Sequence, residues 1–317
     1  MSIIGLDTLV FGVEDVAACS RYLVDYGLEP VGVTAAGGRY EALDGTAVVI
    51  ARGDDPSLPP ALKADCQLRK TVMGVTDAAA LDGIAKELGK DREVRRLADG
   101  SIESVDDSGF VIGFVVSKRR VINMPGEVVN SPGASLQRAV NQLGVDANVG
   151  KITPRGLSHI VYFVPDVPKA EAFYVQRLGF RCTDRFVGVG PFLQPPASLE
   201  HHTHFMIGMP AHMQGVEHFT FHFAGPTEML QNGHRFIDKG YQGFWGPGRH
   251  ILGSNWFWYF NSPLGCHMEM DADMDLHDAS WQPRAVQMSA DASQVFLLRY
   301  RKKWSPGPGI HENGDYA

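Results

Sequence analysis

The chain has few of the features that mark secreted, membrane-spanning or zinc-binding proteins. Its four cysteines are scattered and form no C-x-x-C pair, so neither a zinc ribbon nor a disulfide framework is indicated. No run approaches the roughly eighteen consecutive apolar residues that a membrane span needs, and the N-terminus has no basic start followed by a cleavage site. Reduced thiols and these absences predict a soluble, cytoplasmic protein without a membrane partner.

Positive charge is also scarce. The 317 residues include 29 Lys and Arg against 36 Asp and Glu, which gives a formal net charge of -7. Two basic clusters, SKRRVIN near residue 118 and RYRKKW near residue 299, form no continuous stripe. Nucleic-acid surfaces are usually basic, so no nucleic-acid partner is expected. The length is sufficient for two ordinary domains, each with its own core.

An internal repeat sets the expected architecture. The N-terminal stretch IIGLDTLVFGVEDVAACSRYLVDYGLEPVG mirrors PRGLSHIVYFVPDVPKAEAFYVQRLGFRCTD, with Gly5 over Gly156 and Asp15 over Asp166. Each copy has the pattern of a strand, a turn, a helix that ends near a glycine, and another strand. The two aspartates are candidate helix N-caps. We predict an α+β protein made of two similar modules.

The repeat and the composition divide the chain into four segments. Residues 1–120 form an N-terminal module, residues 121–154 a linker rich in Pro and Gly, residues 155–275 a second module, and residues 276–317 a C-terminal tail. Within the linker, SLQRAVNQLG is predicted to form a short helix. The tail is expected to lack regular structure and to fray rather than to close over a site.

Three polar residues interrupt strand-like apolar runs in the second module. His159 lies in GLSHIVYFVPD, His218 in GVEHFTFHFAG and Glu269 in PLGCHMEMD. A lone histidine in such a run is more often a packed core residue, but two imidazoles and one carboxylate on separate strands can meet in space. That set is the facial triad of non-haem Fe(II) oxygenases, which leaves coordination positions open for substrate and dioxygen.

From Gly156 to about Asp275 these runs resemble the catalytic module of the vicinal oxygen chelate superfamily, and within it the type I extradiol ring-cleaving dioxygenases. GLSHIVYFVPDVPKAEAFYVQRLGF is similar to the opening strand and helix of that module, GVEHFTFHF to the strand with the second ligand, and NSPLGCHMEM to the closing turn and strand. The resemblance implies that His159, His218 and Glu269 are metal ligands. It also implies a fold of tandem βαβββ modules in two similar domains.

Two further segments carry the resemblance to ring-cleaving enzymes. WGPGRHILGSNWFWYF resembles the segment whose histidine and tyrosine line the substrate side of the metal, here His250 and Tyr259. SLEHHTHFMIG resembles the segment that supplies an acid/base histidine, and His202 aligns best, with His201 and His204 as alternatives. An imidazole with a pKa near neutrality is suited to moving the proton that a catechol loses on binding.

The chain departs from the family pattern at several positions. Glu217 precedes His218 where the family commonly has another histidine, and strand alternation predicts that its side chain points to the opposite face. His222 shares a strand face with His218, and it either lines the same cavity or is a packed structural histidine. The first module has no metal ligand at the three matching positions, which are held by Thr8, Lys70 and Gly113.

The resemblance implies an extradiol dioxygenase that cleaves the ring of a catecholic substrate with O2 at a mononuclear Fe(II) site, with Mn(II) as the runner-up metal. Its partners would be a small aromatic diol and O2, and the chain would form a homo-oligomer. Two alternatives stay open: a metal-dependent isomerase, epimerase, lyase or thiol transferase of the same superfamily, and a non-enzymatic small-molecule-binding member. The aromatic residues near the expected site do not distinguish a one-ring from a two-ring substrate.

Overall fold

Two large sheets, each built from one half of the chain, make up the fold. A computed structural model describes residues 2–64, 66–146, 149–289 and 291–298. Within those residues, the first sheet and its helices comprise β1 (Ile3–Val13), α1 (Val16–Tyr26), β2 (Glu29–Thr34), β3 (Gly37–Glu41), β4 (Ala47–Arg52), β5 (Leu68–Val75), α2 (Ala78–Leu88), β6 (Arg95–Arg96), β7 (Ile102–Val105) and β8 (Val111–Val116).

The second sheet is larger and carries the candidate site. It comprises β9 (Gly156–Val164), α3 (Val167–Ala172), β10 (Arg181–Val187), β11 (Gly190–Gln194), β12 (His204–Gly208), β13 (Gly215–His222), α4 (Pro226–Asp238), β14 (Gly243–His250), β15 (Trp256–Asn261), β16 (His267–Ala272), β17 (Arg284–Gln287) and β18 (Gln294–Leu297). A π-helical turn, Phe173–Arg177, continues α3, and a 3-10 turn, Ala211–Met213, precedes β13.

The strand order shows that each sheet consists of two βαβββ units. The order is β2-β3-β4-β1-β5-β8-β7-β6 in the first sheet and β17-β10-β11-β12-β9-β13-β16-β15-β14-β18 in the second. The antiparallel pairs β1 with β5 and β9 with β13 form the two centres, where the units of each sheet meet. The predicted α+β fold of tandem βαβββ modules in two similar domains is confirmed. The repeat found in the sequence covers only the first unit of each sheet.

Local signals explain where the repeated helices begin and end. Asp15 and Asp166 cap α1 and α3, and each carboxylate accepts a hydrogen bond from the backbone N–H three residues on, at 2.8 Å and 3.0 Å respectively. After α1 the chain turns at Gly27, whose φ of 125° favours glycine. A Cβ at this position would lie 2.2 Å from the Ile152 carbonyl oxygen. This glycine therefore allows the linker to pass close to the end of α1.

The two sheets share one hydrophobic core. The ring of Phe11 on β1 lies 5.4 Å from the ring of Phe219 on β13, and both are fully buried. Each such side chain stabilises the fold by about 1.5–3 kcal/mol through burial. Tyr26, at the end of α1, packs into the same core and donates a hydrogen bond of 2.5 Å from its hydroxyl to the Glu269 backbone carbonyl. The first sheet thus supports the strand that carries Glu269.

The pairing registers relate the two sheets position by position. The registers of β1 with β5 and of β5 with β8 match those of β9 with β13 and of β13 with β16. They place Thr8 at the position of His159, Lys70 at that of His218 and Gly113 at that of Glu269, in agreement with the sequence analysis. The Lys70 ammonium lies 3.0 Å from the Glu103 carboxylate. In the described part of the first sheet, a side-chain cation therefore pairs with the buried carboxylate, and no metal-ligating cluster is found.

The linker differs from its prediction. Residues 135–144, expected to form a helix, have no helical structure, and Leu136, Val140 and Leu143 are exposed by 73%, 76% and 84%. An isolated helix of this length is marginal in water, and none of the described residues covers the apolar side of this segment. No helix among the described residues is long and apolar enough to cross a membrane.

The C-terminal tail corrects a second expectation. Instead of fraying, β17 pairs parallel with β10 and β18 pairs antiparallel with β14, at opposite edges of the second sheet. Arg284 anchors β17, because its guanidinium lies 2.5 Å from a carboxylate oxygen of Asp184. Strands of four residues show little periodicity in the sequence, and the surrounding glycines and prolines therefore led to the wrong prediction of no regular structure. The terminal SPGPGIHENGDYA lies outside the described residues.

Candidate metal centre and active site

Neighbouring strands bring the three predicted metal ligands together. His159 lies on β9, His218 on β13 and Glu269 on β16, and these strands are adjacent in the order β9-β13-β16. All three side chains are buried, with residue exposures of 2%, 6% and 0%. Burial of two imidazoles and a carboxylate is costly unless the charges are compensated. The sheet therefore builds a pocket of polar atoms inside an apolar core.

The ligand atoms have the spacing of a facial metal site. His159 Nε2 lies 3.0 Å and His218 Nε2 lies 3.4 Å from Glu269 Oε2, and the two imidazole nitrogens are 3.3 Å apart. Atoms about 2.1 Å from one ion at right angles lie about 3 Å from each other, so this spacing fits one divalent cation. The second carboxylate oxygen, Glu269 Oε1, is buried and has no hydrogen-bond partner. The donor set and this unpaired acceptor both fit a metal.

Side chains behind the ligands orient them. Ser158 Oγ lies 2.9 Å from His159 Nδ1, and Thr220 Oγ1 donates a hydrogen bond of 2.5 Å to Glu269 Oε2. Such contacts hold Nδ1 of the imidazole outward, so that Nε2 points to the centre of the triad. Glu269 is ionised, because hydrogen bonds from His159 and neighbouring imidazoles outweigh burial and hold its pKa well below the usual value.

Glu217 contacts the second ligand, contrary to the prediction that it points to the opposite face. The pairing of β13 with β9 shifts register between Val216 and His218, and this irregularity redirects the intervening side chain. The Glu217 carboxylate bonds to Nδ1 of His218 and lies 2.9 Å from Nδ1 of His267. Burial lowers the pKa of His218, but the carboxylates of Glu217 and Glu269 outweigh it and raise the pKa to about 9.

Of the three neighbouring histidines, only His202 lines the cavity in front of the triad. Its ring centroid lies 4.4 Å from that of His159. Nε2 of His201 is 2.8 Å from Asp184 Oδ2, and His204 packs among core aromatic rings. Burial, and then the neighbouring His159, lower the pKa of His202 well below its usual value, so this imidazole is neutral. The geometry favours His202 among the alternatives.

His250 and Tyr259 lie on the same side of the triad. The Tyr259 hydroxyl is 3.3 Å from His250 Nε2 and 3.5 Å from His218 Nε2. The other ring nitrogen of His250 lies 2.9 Å from the Ser293 carbonyl oxygen, and its ring stacks on Phe257 with centroids 4.0 Å apart. Burial raises the pKa of Tyr259 well above its usual value, so its hydroxyl keeps the proton. Both side chains present polar atoms to a site next to the ligands.

His222 takes the structural role that the sequence left open. Its Nδ1 lies 2.7 Å from Asp271 Oδ1 and its Nε2 lies 3.2 Å from Glu200 Oε1. Burial lowers the pKa of this histidine, but the two carboxylates outweigh it and raise the pKa well above the usual value. His222 is therefore a cation in a salt-bridge network, and it is absent from the residues that line the cavity.

Comparison with known proteins agrees with this geometry. Residues 156–269 match the sequence profile of the glyoxalase/bleomycin resistance protein/dioxygenase superfamily. The matched segment contains His159, His218 and Glu269. A relative, metapyrocatechase 2 of Cupriavidus necator, is 34% identical over 169 residues, which are 53% of this chain and 51% of the relative. The chain thus spans about half the length of this curated relative.

Solved structures show the fold of the whole chain. A Mn(II)-bound glyoxalase from Novosphingobium aromaticivorans is similar with a TM-score of 0.71 at 19% identity, over 100% of this chain and 98% of that chain. BphC, a halotolerant catechol dioxygenase, is similar with a TM-score of 0.72 at 15% identity, over 93% of this chain and 94% of that chain. At these identities the similarity establishes the shared fold.

A cavity of about 800 Å³ lies in front of the triad. His202, His250 and Tyr259 line it next to the ligands, and Met288 and Leu297 of the tail line it as well. The remaining walls are mostly apolar and include Val161, Phe186, Phe192, Phe205, Ile207 and Leu252. Such a size and composition suit a small organic molecule.

Several residues of the module could not be recognised from the sequence. Glu217 depends on a bulge, and a bulge has no mark in the sequence of β13. Asp184 and His201 are 17 positions apart in the chain, and the pairing of β10 with β11 and β11 with β12 brings them together. In the sequence, only the adjacency of His201 and His202 indicated that one histidine holds the other by a hydrogen bond.

Proposed function

We propose that the chain is an extradiol dioxygenase, which opens the aromatic ring of a catecholic substrate next to its hydroxyls with O2. His159, His218 and Glu269 would hold one Fe(II), with Mn(II) as the second choice because imidazole and carboxylate ligands accept either ion. An aromatic diol and O2 would be its partners. A homo-oligomeric and cytoplasmic state remains a prediction.

One observation carries this proposal: His202, His250 and Tyr259 converge on the open side of the triad. The three polar groups line the same cavity as His159 and His218, and the described walls beyond them are mostly apolar. An isomerase or a binding protein with the same triad would not need two imidazoles and a phenol facing one bound molecule. A diol has two oxygens to be held and protons to be removed, and these groups match that demand.

Each of these residues has a definable task. The metal, when bound, would lower the pKa of the diol hydroxyls and hold diol and dioxygen side by side. His202 would accept a hydroxyl proton, because burial keeps its imidazole neutral by lowering its pKa. Tyr259, whose phenol stays protonated, would donate a hydrogen bond to a diol oxygen. His250, held by the Ser293 carbonyl, would present Nε2 to the same oxygen.

The cavity favours an uncharged, apolar substituent on the diol. Among the described residues that line it there is no lysine or arginine, while Glu217 adds a negative charge. Phe192 and Phe205 stack with centroids 4.0 Å apart next to His202 and form a flat wall. A carboxylated diol would find no cation there and would lose its hydration, whereas an aryl or alkyl group would bury apolar surface.

Conservative variants of His250 and Tyr259, two of the three converging residues, test the reaction class. In the Fe(II)-loaded protein, His250→Phe and Tyr259→Phe should each lower ring opening by about 10²–10³-fold without abolishing Fe(II) retention. His212→Phe, a matched change at an exposed histidine on the turn before β13, should leave the rate unchanged. Unchanged turnover in both cavity variants would contradict a ring-cleaving enzyme and favour another reaction of the superfamily.

A further inference from the structure

A line of hydrogen bonds runs from the edge of the second sheet to the cavity, through side chains that the proposed reaction does not itself use. Asp184 Oδ2 lies 2.8 Å from Nε2 of His201, and Nδ1 of His201 lies 2.9 Å from Nδ1 of His202. Asp184 and His201 are each 0% exposed, and His202 is 4% exposed. The line ends at the one ring nitrogen of His202 that remains for the cavity, Nε2.

The positions of the protons along this line follow from Asp184. Burial raises the pKa of its carboxyl, but hydrogen bonds from His201 and Arg284 outweigh this and lower the pKa to about 2, so it is ionised and only accepts. His201 is neutral, because burial lowers its pKa more than Asp184 raises it. It must therefore donate from Nε2 to Asp184, which leaves Nδ1 as an acceptor. His202 must in turn donate from Nδ1 and carry a lone pair on Nε2.

We propose that Asp184 and His201 are positioning residues that hold His202 in the tautomer whose Nε2 accepts a proton from the substrate. The inference rests on the proposed function, in which His202 is the acid/base residue. A diol hydroxyl transfers its proton to Nε2, and the imidazolium keeps its Nδ1–H bond to His201. The positive charge then lies one imidazole away from the Asp184 carboxylate, which stabilises it. The proton returns from Nε2 to the ring-opened product.

The tail holds the far end of the line in place. Arg284 of β17 donates a backbone hydrogen bond of 2.8 Å to Asp184 Oδ1, and its guanidinium bonds the other oxygen at 2.5 Å. Because both carboxylate oxygens are engaged, Asp184 cannot rotate away from His201. A simple structural ion pair would end at His201. Here the contact continues to a residue of the cavity wall, which a structural role alone does not require.

The test reads the tautomer directly and so does not depend on turnover. The full chain is labelled with ¹⁵N-histidine and loaded with Zn(II) as a diamagnetic probe, and the His202 signals are identified by their loss in His202→Ala. Wild type should show a protonated Nδ1 and an unprotonated Nε2. His201→Phe removes the acceptor and should give a mixture of His202 tautomers. His201→Gln has an amide oxygen that can accept the hydrogen bond, so it should restore the wild-type tautomer. His204→Phe, a matched change in the same segment, should leave the signals unchanged.

Kinetics of the Fe(II)-loaded variants give the second measurement. His201→Phe should lower kcat by about 10²-fold with KM changed less than about threefold, and His201→Gln should recover most of the loss. An unprotonated Nδ1 of His202 in wild type, or a tautomer that persists in His201→Phe, would overturn the inference. Absence of ring opening in wild type with the expected tautomer would instead refute the proposed function.

Discussion

Removal of the Glu217 carboxylate should weaken metal binding without unfolding the chain. This side chain accepts hydrogen bonds from Nδ1 of His218 and, at 2.9 Å, from Nδ1 of His267. It therefore fixes the ring orientation and tautomer of one of the three proposed ligands. Loss of such an outer partner typically costs about 10–100-fold in metal affinity, which corresponds to about 1.4–2.7 kcal/mol.

Two variants separate the loss of the Glu217 charge from the loss of both hydrogen bonds. Glu217→Gln keeps one carbonyl oxygen for two N–H donors and loses the charge, so we expect about tenfold weaker Fe(II) binding. Glu217→Ala removes both contacts and should cost about a hundredfold. Competition with a coloured chelator under anaerobic conditions measures the affinity. Circular dichroism of the variants verifies that the fold is retained.

A matched control separates this contact from a general effect of charge. Glu171→Gln makes the same change at a carboxylate that pairs with Arg185 at 2.6 Å, on α3 and outside the cavity. Its Fe(II) affinity should equal that of wild type. If Glu217→Ala also binds Fe(II) within about twofold of wild type, Glu217 does not orient the ligand and the role assigned to it here is wrong.

Three further outcomes are expected. The pKa of Asp184 is lowered to about 2 from 3.8, so this group contributes about 2 kcal/mol of stability above pH 4 that is lost as the pH falls towards 2. The free energies of unfolding of wild type and Asp184→Asn, measured in urea across this range, should therefore converge at low pH. Gly27→Ala places a Cβ against a backbone oxygen at positive φ and should cost at least about 2 kcal/mol in thermal unfolding, whereas Gly32→Ala, also at positive φ but with nothing within 4 Å, should cost about 1 kcal/mol or less. Met288→Arg at the cavity rim should increase binding of a carboxylated catechol, measured by calorimetry, while Val295→Arg, exposed on the same tail outside the cavity, should not.

The proposed ligands were recognisable because each is a polar residue within a short apolar run that is typical of a strand. His159, His218 and Glu269 needed only the correct order of three strands to meet, and the fold family implied by the resemblance supplied that order. The equivalence of Thr8 with His159 also followed, because the repeat aligns β1 with β9. These features depend on strand periodicity, which a sequence displays directly.

Features that depend on contacts between distant segments could not be predicted. Glu217 turns towards the ligand at a bulge, and alternation along a regular strand gives the wrong face. The line from Asp184 to His202 requires three strands and the tail to be in place. The prediction of a linker helix was wrong for the opposite reason. The local pattern is favourable, but within the part of the chain that the structure describes no apolar surface covers Leu136 and Leu143.

Oxygen uptake is the most direct test of ring cleavage at this triad. The protein is purified anaerobically with Fe(II) and then mixed with air-saturated buffer and catechol, 2,3-dihydroxybiphenyl or 2,3-dihydroxybenzoate, with His218→Ala as the inactive control. We predict one O2 consumed per ring opened, a yellow product, a preference for the biphenyl diol of about tenfold or more over the benzoate, and no uptake in the control. Retention of Fe(II) without oxygen uptake for any of these diols would contradict the proposed dioxygenase.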